Sequence, residues 1–251
     1  MTTTLITGAS SGLGAEMARQ LAARGEDLAL CARRTERLEE VREEILAAHP
    51  ERTVSIAALD VTDDAAVFEV FRRFQTELGT IDRVVINAGL GKGAPIGKGR
   101  YDANRATAMT NFVAALAQSE AAMEIFRAQK YGHLVMISSM SAYRGMPSAM
   151  TTYAATKAGV AALAEGIRHE MSRKPELDID VSVIYPGYIR SEMNDQVEQH
   201  TPFMVDTETG VKAIVAAIEK RTAHARVPAW PWVPMGTALR HLPLPLVRRL
   251  S

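Results

Sequence analysis

The stretch that decides the fold is TTLITGASSGLG, residues 3–14. It begins with a short apolar and β-branched run, Thr3–Thr7, which is typical of a strand buried on both faces. Gly8, Gly12 and Gly14 follow at a spacing that allows a tight turn and a close approach of the backbone to a pyrophosphate. A helix opening at Gly12 would direct its free amide groups at that phosphate. We therefore predict a strand, a phosphate-binding turn and a helix in succession.

The rest of the chain repeats this alternation of short apolar runs with longer segments of helical period. Strands are predicted at Thr3–Thr7, Asp27–Cys31, Val54–Ala58, Arg83–Ile86, His133–Ser138, Asp180–Ile184 and Ala225–Pro228. Helices are predicted at Gly12–Arg24, Thr35–His49, Asp63–Leu78, Tyr101–Gln129, Met150–Ser172 and Thr207–Lys220. Such alternation predicts an α/β fold with a doubly wound parallel sheet, helices on both faces and a single domain over residues 1–251.

Three segments depart from the regular pattern. Residues 89–100 are rich in glycine, and residues 190–206 have no clear period. We expect both to be loops at the carboxyl ends of strands, where open α/β sheets bind ligands, with 190–206 as a substrate loop. Residues 229–251 form a basic tail rich in tryptophan and proline.

Composition excludes several classes of function. The 29 Lys and Arg residues balance 29 Asp and Glu residues, so there is no basic field for nucleic acid. The one cysteine, Cys31, cannot form an internal disulfide, and no basic, apolar leader precedes the first strand, so we expect a reducing cytoplasm. His169-Glu170 lacks the second histidine of a zinc-binding helix, because Arg173 stands there, so no metal is expected.

A second group of residues carries acid–base chemistry. Tyr153 and Lys157 are four residues apart on a predicted helix and so share one face. Ser139 follows the fifth strand at the carboxyl edge, so the next helix can bring all three side chains to one crevice; we prefer Ser139 to Ser138 or Ser141. The pKa of tyrosine is ordinarily about 10, and a neighbouring ammonium lowers it. Tyr153 then becomes a usable acid or base, with Ser139 positioning a substrate oxygen.

These residues together resemble the short-chain dehydrogenase/reductase family, classical type. The stretches that carry the resemblance are Thr7–Gly14, Asn87-Ala88-Gly89, Ser139, Tyr153–Lys157 and Pro186-Gly187. The resemblance implies a nicotinamide-dependent oxidoreductase on a Rossmann fold, with Tyr153 as the catalytic acid/base. It also implies that Lys157 binds the nicotinamide ribose and lowers the tyrosine pKa, that Ser139 orients the carbonyl or alcohol, and that Asn111 completes a proton relay.

The same resemblance implies a cofactor site spread over five strand ends. Its residues would be Gly8, Ser10, Ser11, Gly12, Leu13, Gly14, Arg33, Arg34, Asp60, Val61, Asn87, Ala88, Gly89, Tyr153, Lys157, Pro186, Gly187, Ile189 and Ser191. Asp60-Val61 would contact the adenine. Ser191 stands where the family usually has a threonine that binds the carboxamide, and it keeps the hydroxyl.

Charge favours NADP(H) over NAD(H). An acidic residue after the second strand would bond a ribose 2′-hydroxyl, whereas this chain has Arg33 and Arg34 there. Guanidinium groups suit the geometry of phosphate, and the Ser10 hydroxyl could assist them. The alternative is that both arginines merely begin a solvated helix, since Ser11 is not basic.

The substrate and the partners are less sharply indicated. Apolar residues near the predicted rim favour a hydrophobic carbonyl or secondary alcohol; they are Met146, Met150, Tyr188, Met193, Phe203 and Met204. The same methionines could equally be core or subunit contacts. Residues 229–251 could cover the cleft or pack on another subunit of a homodimer or homotetramer, which we favour over contact with a membrane surface. A non-catalytic, cofactor-sensing or scaffold protein on the same fold is the rival class.

Overall fold

The computed structural model describes residues 2–91, 93–192 and 203–247. Within these ranges a single sheet contains seven parallel strands in the spatial order β3-β2-β1-β4-β5-β6-β7. They are β1 (Thr3–Thr7), β2 (Asp27–Ala32), β3 (Val54–Ala58), β4 (Arg83–Ile86), β5 (Tyr131–Ile137), β6 (Asp178–Pro186) and β7 (His224–Val227). The chain winds outward from β1 in both directions, which confirms the predicted doubly wound sheet.

Helices connect the strands and cover both faces of the sheet. They are α1 (Gly12–Ala22), α2 (Thr35–Ala48), α3 (Asp64–Leu78), α4 (Tyr101–Ala108), α5 (Ala114–Gln129), α6 (Met150–Met171), α7 (Thr207–Glu219), α8 (Ala229–His241) and α9 (Leu244–Val247). A π-helical segment, Met109–Val113, joins α4 to α5, and a 3-10 turn, Met140–Tyr143, precedes α6.

The central strands consist mainly of apolar and β-branched residues, as suits strands whose two faces are both buried. Side chains alternate along a strand, so Leu5 belongs to the core between the sheet and α3, α5 and α6, while Ile6 belongs to the core beneath α1, α2 and α7. Both are fully buried. Two hydrophobic layers therefore hold the sheet rigidly, and its carboxyl edge becomes a fixed platform for the loops.

The predicted elements agree with the structure in position, and the differences have local causes. Strands β5 and β6 both begin two residues earlier than expected, because Tyr131 pairs with Asp178 and the ladder continues from there. Two of the four added residues, Gly132 and Asp178, have low strand propensity, so the sequence pattern does not include them. Hydrogen bonding between the two neighbouring strands extends the strands over these residues. The single predicted helix over residues 101–129 contains the π-helical segment at its centre.

The C-terminal segment is a folded part of the molecule. Helix α8 buries Trp232, which packs against Gly187, the residue that follows β6. Of the predicted loop 190–206, residues 193–202 lie outside the described residues, as do the tail residues 248–251. Val205 pairs with Ile189 beyond the sheet, and Asp206 caps α7 by accepting a hydrogen bond from the Thr209 amide at 2.7 Å.

Cys31 is fully buried in β2, as a small apolar residue would be, and burial raises the pKa of its thiol to about 12. Across the described parts of the chain, none of the helices combines the length and the apolar character needed to cross a membrane.

Candidate active site

The candidate site lies where the winding of the sheet changes direction. Strands β1 and β4 are neighbours although two βα units separate them in the sequence. Their connections leave in opposite directions, which opens a crevice above their carboxyl ends. The turn after β1, the loop after β4 and the segment after β6 all reach this crevice.

The turn after β1 requires its glycines. Gly8 has a φ of +65°, and a Cβ atom there would lie 2.9 Å from the Cα atom of Ala88. A Cβ atom on Gly14 would overlap the carbonyl oxygen of Gly8 and lie 2.7 Å from Nδ2 of Asn87. The first turn of α1 therefore packs directly on β1, and the backbone stays open to a phosphate, so these residues fit a dinucleotide.

Asn87 locks this turn to the end of β4. Its side-chain Nδ2 donates to the carbonyl oxygens of Thr7 and Gly8 at 3.0 and 3.3 Å. In return, Oγ1 of Thr7 accepts hydrogen bonds from the amides of Asn87 and Ala88 at 3.1 and 3.2 Å. The Thr7 hydroxyl was not among the predicted site residues, although its position directly before the glycine motif could have indicated that it helps to hold the turn.

Ser139, Tyr153 and Lys157 come together at the carboxyl edge of β5. The Ser139 hydroxyl accepts hydrogen bonds from the Ser141 amide and hydroxyl at 3.2 and 3.0 Å, and the Ser139 side chain lowers the pKa of Tyr153. Ser138, the rejected alternative, is buried and donates to the Lys157 carbonyl oxygen at 2.8 Å. Of the three serines considered, Ser139 is the one whose side chain affects the pKa of Tyr153.

The electrostatics of Tyr153 differ from the sequence expectation. Removal from water raises the pKa of Tyr153, and the Ser139 hydrogen bond opposes that rise. Lys157 does not lower it in this state, because its Nζ atom lies 5.8 Å from the tyrosine ring centroid and donates to the Ile137 carbonyl oxygen at 2.9 Å. Burial also lowers the pKa of Lys157 to about 8, so its ammonium group releases a proton more readily than that of an exposed lysine.

Asn111 lies on the π-helical segment, fully enclosed. Its Oδ1 atom accepts the Leu90 amide at 2.6 Å, and its Nδ2 atom donates to the Leu90 carbonyl oxygen at 2.8 Å. The same Nδ2 atom is 3.4 Å from the Thr156 hydroxyl on α6. A Cβ atom on Gly89 would lie 3.2 Å from Asn111 Oδ1 and 3.6 Å from Lys157 Nζ, so the loop after β4 lies between asparagine and lysine.

The opposite end of the crevice is basic. Arg34 directs its guanidinium at the glycine turn, where Nη2 donates to the Ser11 hydroxyl at 2.7 Å and lies 3.5 Å from the Ser10 hydroxyl. Arg33 is exposed and faces Asp60, whose pKa is lowered mainly by the Thr62 amide and hydroxyl and in smaller part by Arg33. Val61 is buried beside Asp60. The two predicted arginines therefore point at different parts of the crevice.

The segment after β6 closes the third side. Pro186 ends β6, and the Gly187 amide donates to the Val227 carbonyl oxygen at 2.9 Å. Ile189 is buried, whereas Ser191 lies above the turn after β1: a Cβ atom on Gly12 would be 3.5 Å from that of Ser191. Leu13 faces away, against the core beneath α1. The segment after β6 therefore lies beside the turn after β1.

Metal ligands are not grouped in the parts of the chain that the structure describes. No cluster of three or more His, Cys, Asp or Glu side chains within these ranges could hold an ion. The chemistry assembled at the crevice is that of hydroxyl, ammonium and guanidinium groups.

Fold and crevice together define an α/β protein built to bind a nucleotide beside a Tyr–Lys pair. The family model described as short chain dehydrogenase matches residues 2–202. An uncharacterized oxidoreductase of Mycobacterium tuberculosis is 51% identical over 247 residues, which cover 98% of this chain and 96% of the relative. The chain belongs to the short-chain dehydrogenase family and is an oxidoreductase.

Solved structures of the same fold agree. Levodione reductase superposes with a TM-score of 0.82 and 25% identity, covering 92% of this chain and 98% of the reductase. A short-chain dehydrogenase from Sphingobium yanoikuyae in complex with NADPH superposes with a TM-score of 0.81 and 27% identity, covering 95% of this chain and 93% of that one. The family binds nicotinamide cofactors and acts on small molecules.

Proposed function

We propose that the protein is an NADP(H)-dependent oxidoreductase that moves a hydride between nicotinamide and a carbonyl or secondary alcohol, using Tyr153 as acid and base. The observation that carries the proposal is the convergence of Ser139, Tyr153 and the buried Lys157, where the Ser139 side chain lowers the pKa of Tyr153 and Lys157 Nζ lies 5.8 Å from the tyrosine ring centroid. Membership of an oxidoreductase family supports the reaction class.

The chain's own residues would divide the work as follows. Tyr153 holds the proton that the substrate oxygen gains on reduction or loses on oxidation. Ser139, whose hydroxyl is fixed by Ser141, donates to that oxygen and keeps it close to the phenol. The Lys157 ammonium favours the phenolate once the tyrosine releases its proton. Asn111 fixes the loop at Leu90 that borders the lysine and completes the proton relay.

The residues present fit a dinucleotide. The glycine turn accepts the pyrophosphate, Asp60-Val61 and Asn87–Gly89 border the adenine and the middle of the cleft, and Ile189 and Ser191 border the nicotinamide. When bound, the cofactor supplies or accepts the hydride. The protein's task at this step is to align substrate and cofactor, which lowers the entropic part of the barrier.

NADP(H) is preferred in this proposal because Arg34, which follows β2, brings its guanidinium to the glycine turn, where it donates to the Ser11 hydroxyl at 2.7 Å. No carboxylate stands at the end of β2 to bond a 2′-hydroxyl, as the strand closes with Ala32 and continues into Arg33 and Arg34. The NADPH complex of the Sphingobium relative adds support. Both arginines are exposed, and the contact of Arg34 with the Ser11 hydroxyl favours phosphate binding over the alternative of a solvated helix start.

A hydrophobic substrate is proposed from the wall after β6. Tyr188 stands edge-on to Trp232 with ring centroids 5.2 Å apart, and Tyr188 and Phe203 are exposed on this side. Met204, which follows Phe203, is partly buried, as are Met146, just before α6, and Met150 at its start. Met193 lies outside the described residues. Segment 190–206 is proposed as the substrate loop. Bulky apolar ketones should be reduced faster than small polar ones.

Turnover by the Tyr153→Phe variant tests the mechanism. The substitution removes only the phenolic oxygen, so we expect kcat to fall at least about 100-fold, the contribution usual for general acid–base catalysis, with NADPH affinity retained. Tyr131→Phe at the amino end of β5 is the matched control and should keep full activity. Unchanged turnover in Tyr153→Phe would reject the mechanism; NADPH binding without turnover of any carbonyl by the wild type would favour the scaffold alternative.

We also propose a homodimer or homotetramer in a reducing, cytoplasmic setting. Phe112 and Leu116 are exposed one helical turn apart, and the Phe112 ring covers Gly159 of α6, which leaves an apolar strip across two helices. A second copy of the chain would cover it. Sedimentation velocity should show a dimer or tetramer, and Leu116→Glu should shift it toward the monomer. The buried, unpaired Cys31 supports the reducing setting.

A further inference from the structure

One carboxylate occupies the basic end of the cofactor crevice. Glu192, which follows Ser191 in the segment after β6, is held by both terminal nitrogens of Arg34: Nη1 donates to Oε1 at 2.8 Å and Nη2 to Oε2 at 2.7 Å. The Ser11 side chain, which accepts a hydrogen bond from the same guanidinium at 2.7 Å, also helps to lower the pKa of Glu192. Arg34 and Glu192 are 158 positions apart in the sequence, so no local pattern predicts their contact.

The donors that hold this carboxylate are those proposed for the 2′-phosphate of NADP(H). A two-pronged guanidinium with an adjacent hydroxyl suits a carboxylate and a phosphate equally well, because both present two oxygens in one plane to the fork. The cavity beside the contact has a volume of about 270 Å³ and is bordered by Arg19 and Arg37 as well as by Arg34. A bound phosphate and the Glu192 carboxylate would compete for the same guanidinium.

We propose that Glu192 is a specificity-determining residue that occupies Arg34 until a 2′-phosphate displaces it. The inference rests on the proposed function, because it assumes that Arg34 receives the cofactor's phosphate. It adds a residue that neither the glycine motif nor the β2 arginines include, and it assigns that residue an effect opposite to theirs: Glu192 weakens NADP(H) binding.

The contact is suited to exchange. The side chains of Arg34 and Glu192 keep 46% and 55% of their exposed surface, so water can replace each partner, and an exposed ion pair is worth little. The hydrogen bonds of Arg34 and Ser11 lower the pKa of Glu192 to about 2, so it stays anionic and competes at any working pH. A doubly charged phosphate can displace it, whereas a ribose hydroxyl carries no charge with which to do so.

Two consequences differ between the cofactors. NADP(H) must release Glu192, so removing its charge should tighten NADP(H) binding. NAD(H) has no group that displaces it, so the ion pair should persist in the NAD(H) complex and the substitution should leave NAD(H) affinity unchanged. Glu192→Gln should therefore widen the preference for NADP(H).

Fluorescence titration of the purified full chain with NADPH and with NADH tests this without any turnover. We expect Glu192→Gln to lower the Kd for NADPH about three- to fivefold, the range that an exposed ion pair allows, and to change the Kd for NADH less than twofold. Glu44→Gln is the matched control, because Glu44 borders the same cavity but pairs with Arg19 at 2.6 Å. That control should bind both cofactors as the wild type does.

The double variant Arg34→Gln/Glu192→Gln completes a double-mutant cycle with the two single variants. Arg34→Gln should lose NADPH affinity by about tenfold or more, and adding Glu192→Gln to it should have no further effect, since the competitor has lost its site. Adenosine 2′,5′-bisphosphate and adenosine 5′-phosphate, which differ only in the 2′-phosphate, should reproduce the NADPH and NADH results respectively.

The outcomes separate the two proposals. If the wild type prefers NADPH but Glu192→Gln leaves its Kd unchanged, or tightens both cofactors equally, the role of Glu192 is wrong and the proposed function stands. If the wild type binds NADH as tightly as NADPH, the NADP(H) preference itself fails, and this inference fails with it.

Discussion

Lys157 holds an ammonium group in a position that is 6% exposed. Its Nζ atom donates a hydrogen bond to the Ile137 carbonyl oxygen, and burial lowers its pKa from 10.5 to about 8. A site that keeps a cation under such conditions has a use for it other than stability. In the proposed mechanism that use is to favour the Tyr153 phenolate, which burial otherwise opposes.

The stability cost of Lys157 can be measured through its pH dependence. Between pH 8 and pH 10.5 the unfolded chain holds a proton on this lysine that the folded chain has released, so this group makes the free energy of unfolding rise with pH. Below pH 8 both states are charged and the full burial penalty remains. The lowered pKa corresponds to roughly 3 kcal/mol, and the hydrogen bond to Ile137 offsets about 1 kcal/mol.

We therefore expect Lys157→Met to be more stable than the wild type, with a free energy of unfolding about 2 kcal/mol higher at pH 7, and to lose turnover. Urea denaturation at several pH values tests this, and the difference between the two proteins should narrow as pH rises from 7 to 9.5. Lys130→Met, at the exposed end of α5, is the control and should show no such trend. A difference that stays constant with pH would contradict the buried charge.

At the scale of elements, the C-terminal helix α8 supports the turn that carries Ser139. Arg226 of β7 donates through Nε to the Tyr143 hydroxyl at 3.1 Å and through Nη1 to the Val233 carbonyl and Thr237 hydroxyl at 2.9 and 2.8 Å. Its guanidinium carbon lies 4.8 Å from the Tyr143 ring centroid. Tyr143 ends the 3-10 turn that Ser139 caps, so one arginine joins β7, α8 and the turn that follows Ser139.

We expect Arg226→Met to speed amide hydrogen exchange in α8 about tenfold and to raise the KM for a carbonyl substrate, while NADPH affinity stays unchanged. The reason is that α8 loses its hydrogen bonds to the turn but the glycine motif is untouched. Arg240→Met, which removes an exposed arginine from the same helix, is the control. Unaltered exchange in α8 would show that apolar packing around Trp232 alone holds the helix.

Across the whole molecule, the carboxyl edge of the sheet carries the candidate site, and the amino edge carries a buried ion pair. At the amino edge, opposite the crevice, Arg83 Nη1 binds both oxygens of Glu26 at 2.7 and 2.8 Å, and both side chains keep 9% of their exposed surface. Thr4 donates to the same carboxylate, and Nε of Arg83 donates to the His133 ring at 3.3 Å. Burial, together with Arg83, lowers the pKa of His133 to about 3, so the imidazole is neutral and can accept this bond.

We expect Glu26→Gln to lower the free energy of unfolding by about 3 kcal/mol, because it leaves the Arg83 charge buried without its partner. The folded variant should keep wild-type turnover, since the network lies at the edge remote from Tyr153. Glu51→Gln, at an exposed site, should be neutral. Thermal denaturation and a turnover assay on the same samples check both parts, and a loss of turnover without loss of stability would contradict this separation.

Local periodicity and motifs of close spacing are enough to predict the sheet and the glycine turn and to propose which residues act as acid and base. Thr3–Thr7 and Gly8–Gly14 follow from such patterns, as does the helical face shared by Tyr153 and Lys157. Only the tertiary structure decided what those groups touch. Lys157 bonds Ile137, Arg34 bonds Glu192 and Trp232 packs on Gly187, and each contact joins elements that are distant in the sequence. Local patterns carry no information about such contacts, since packing of the whole chain selects them.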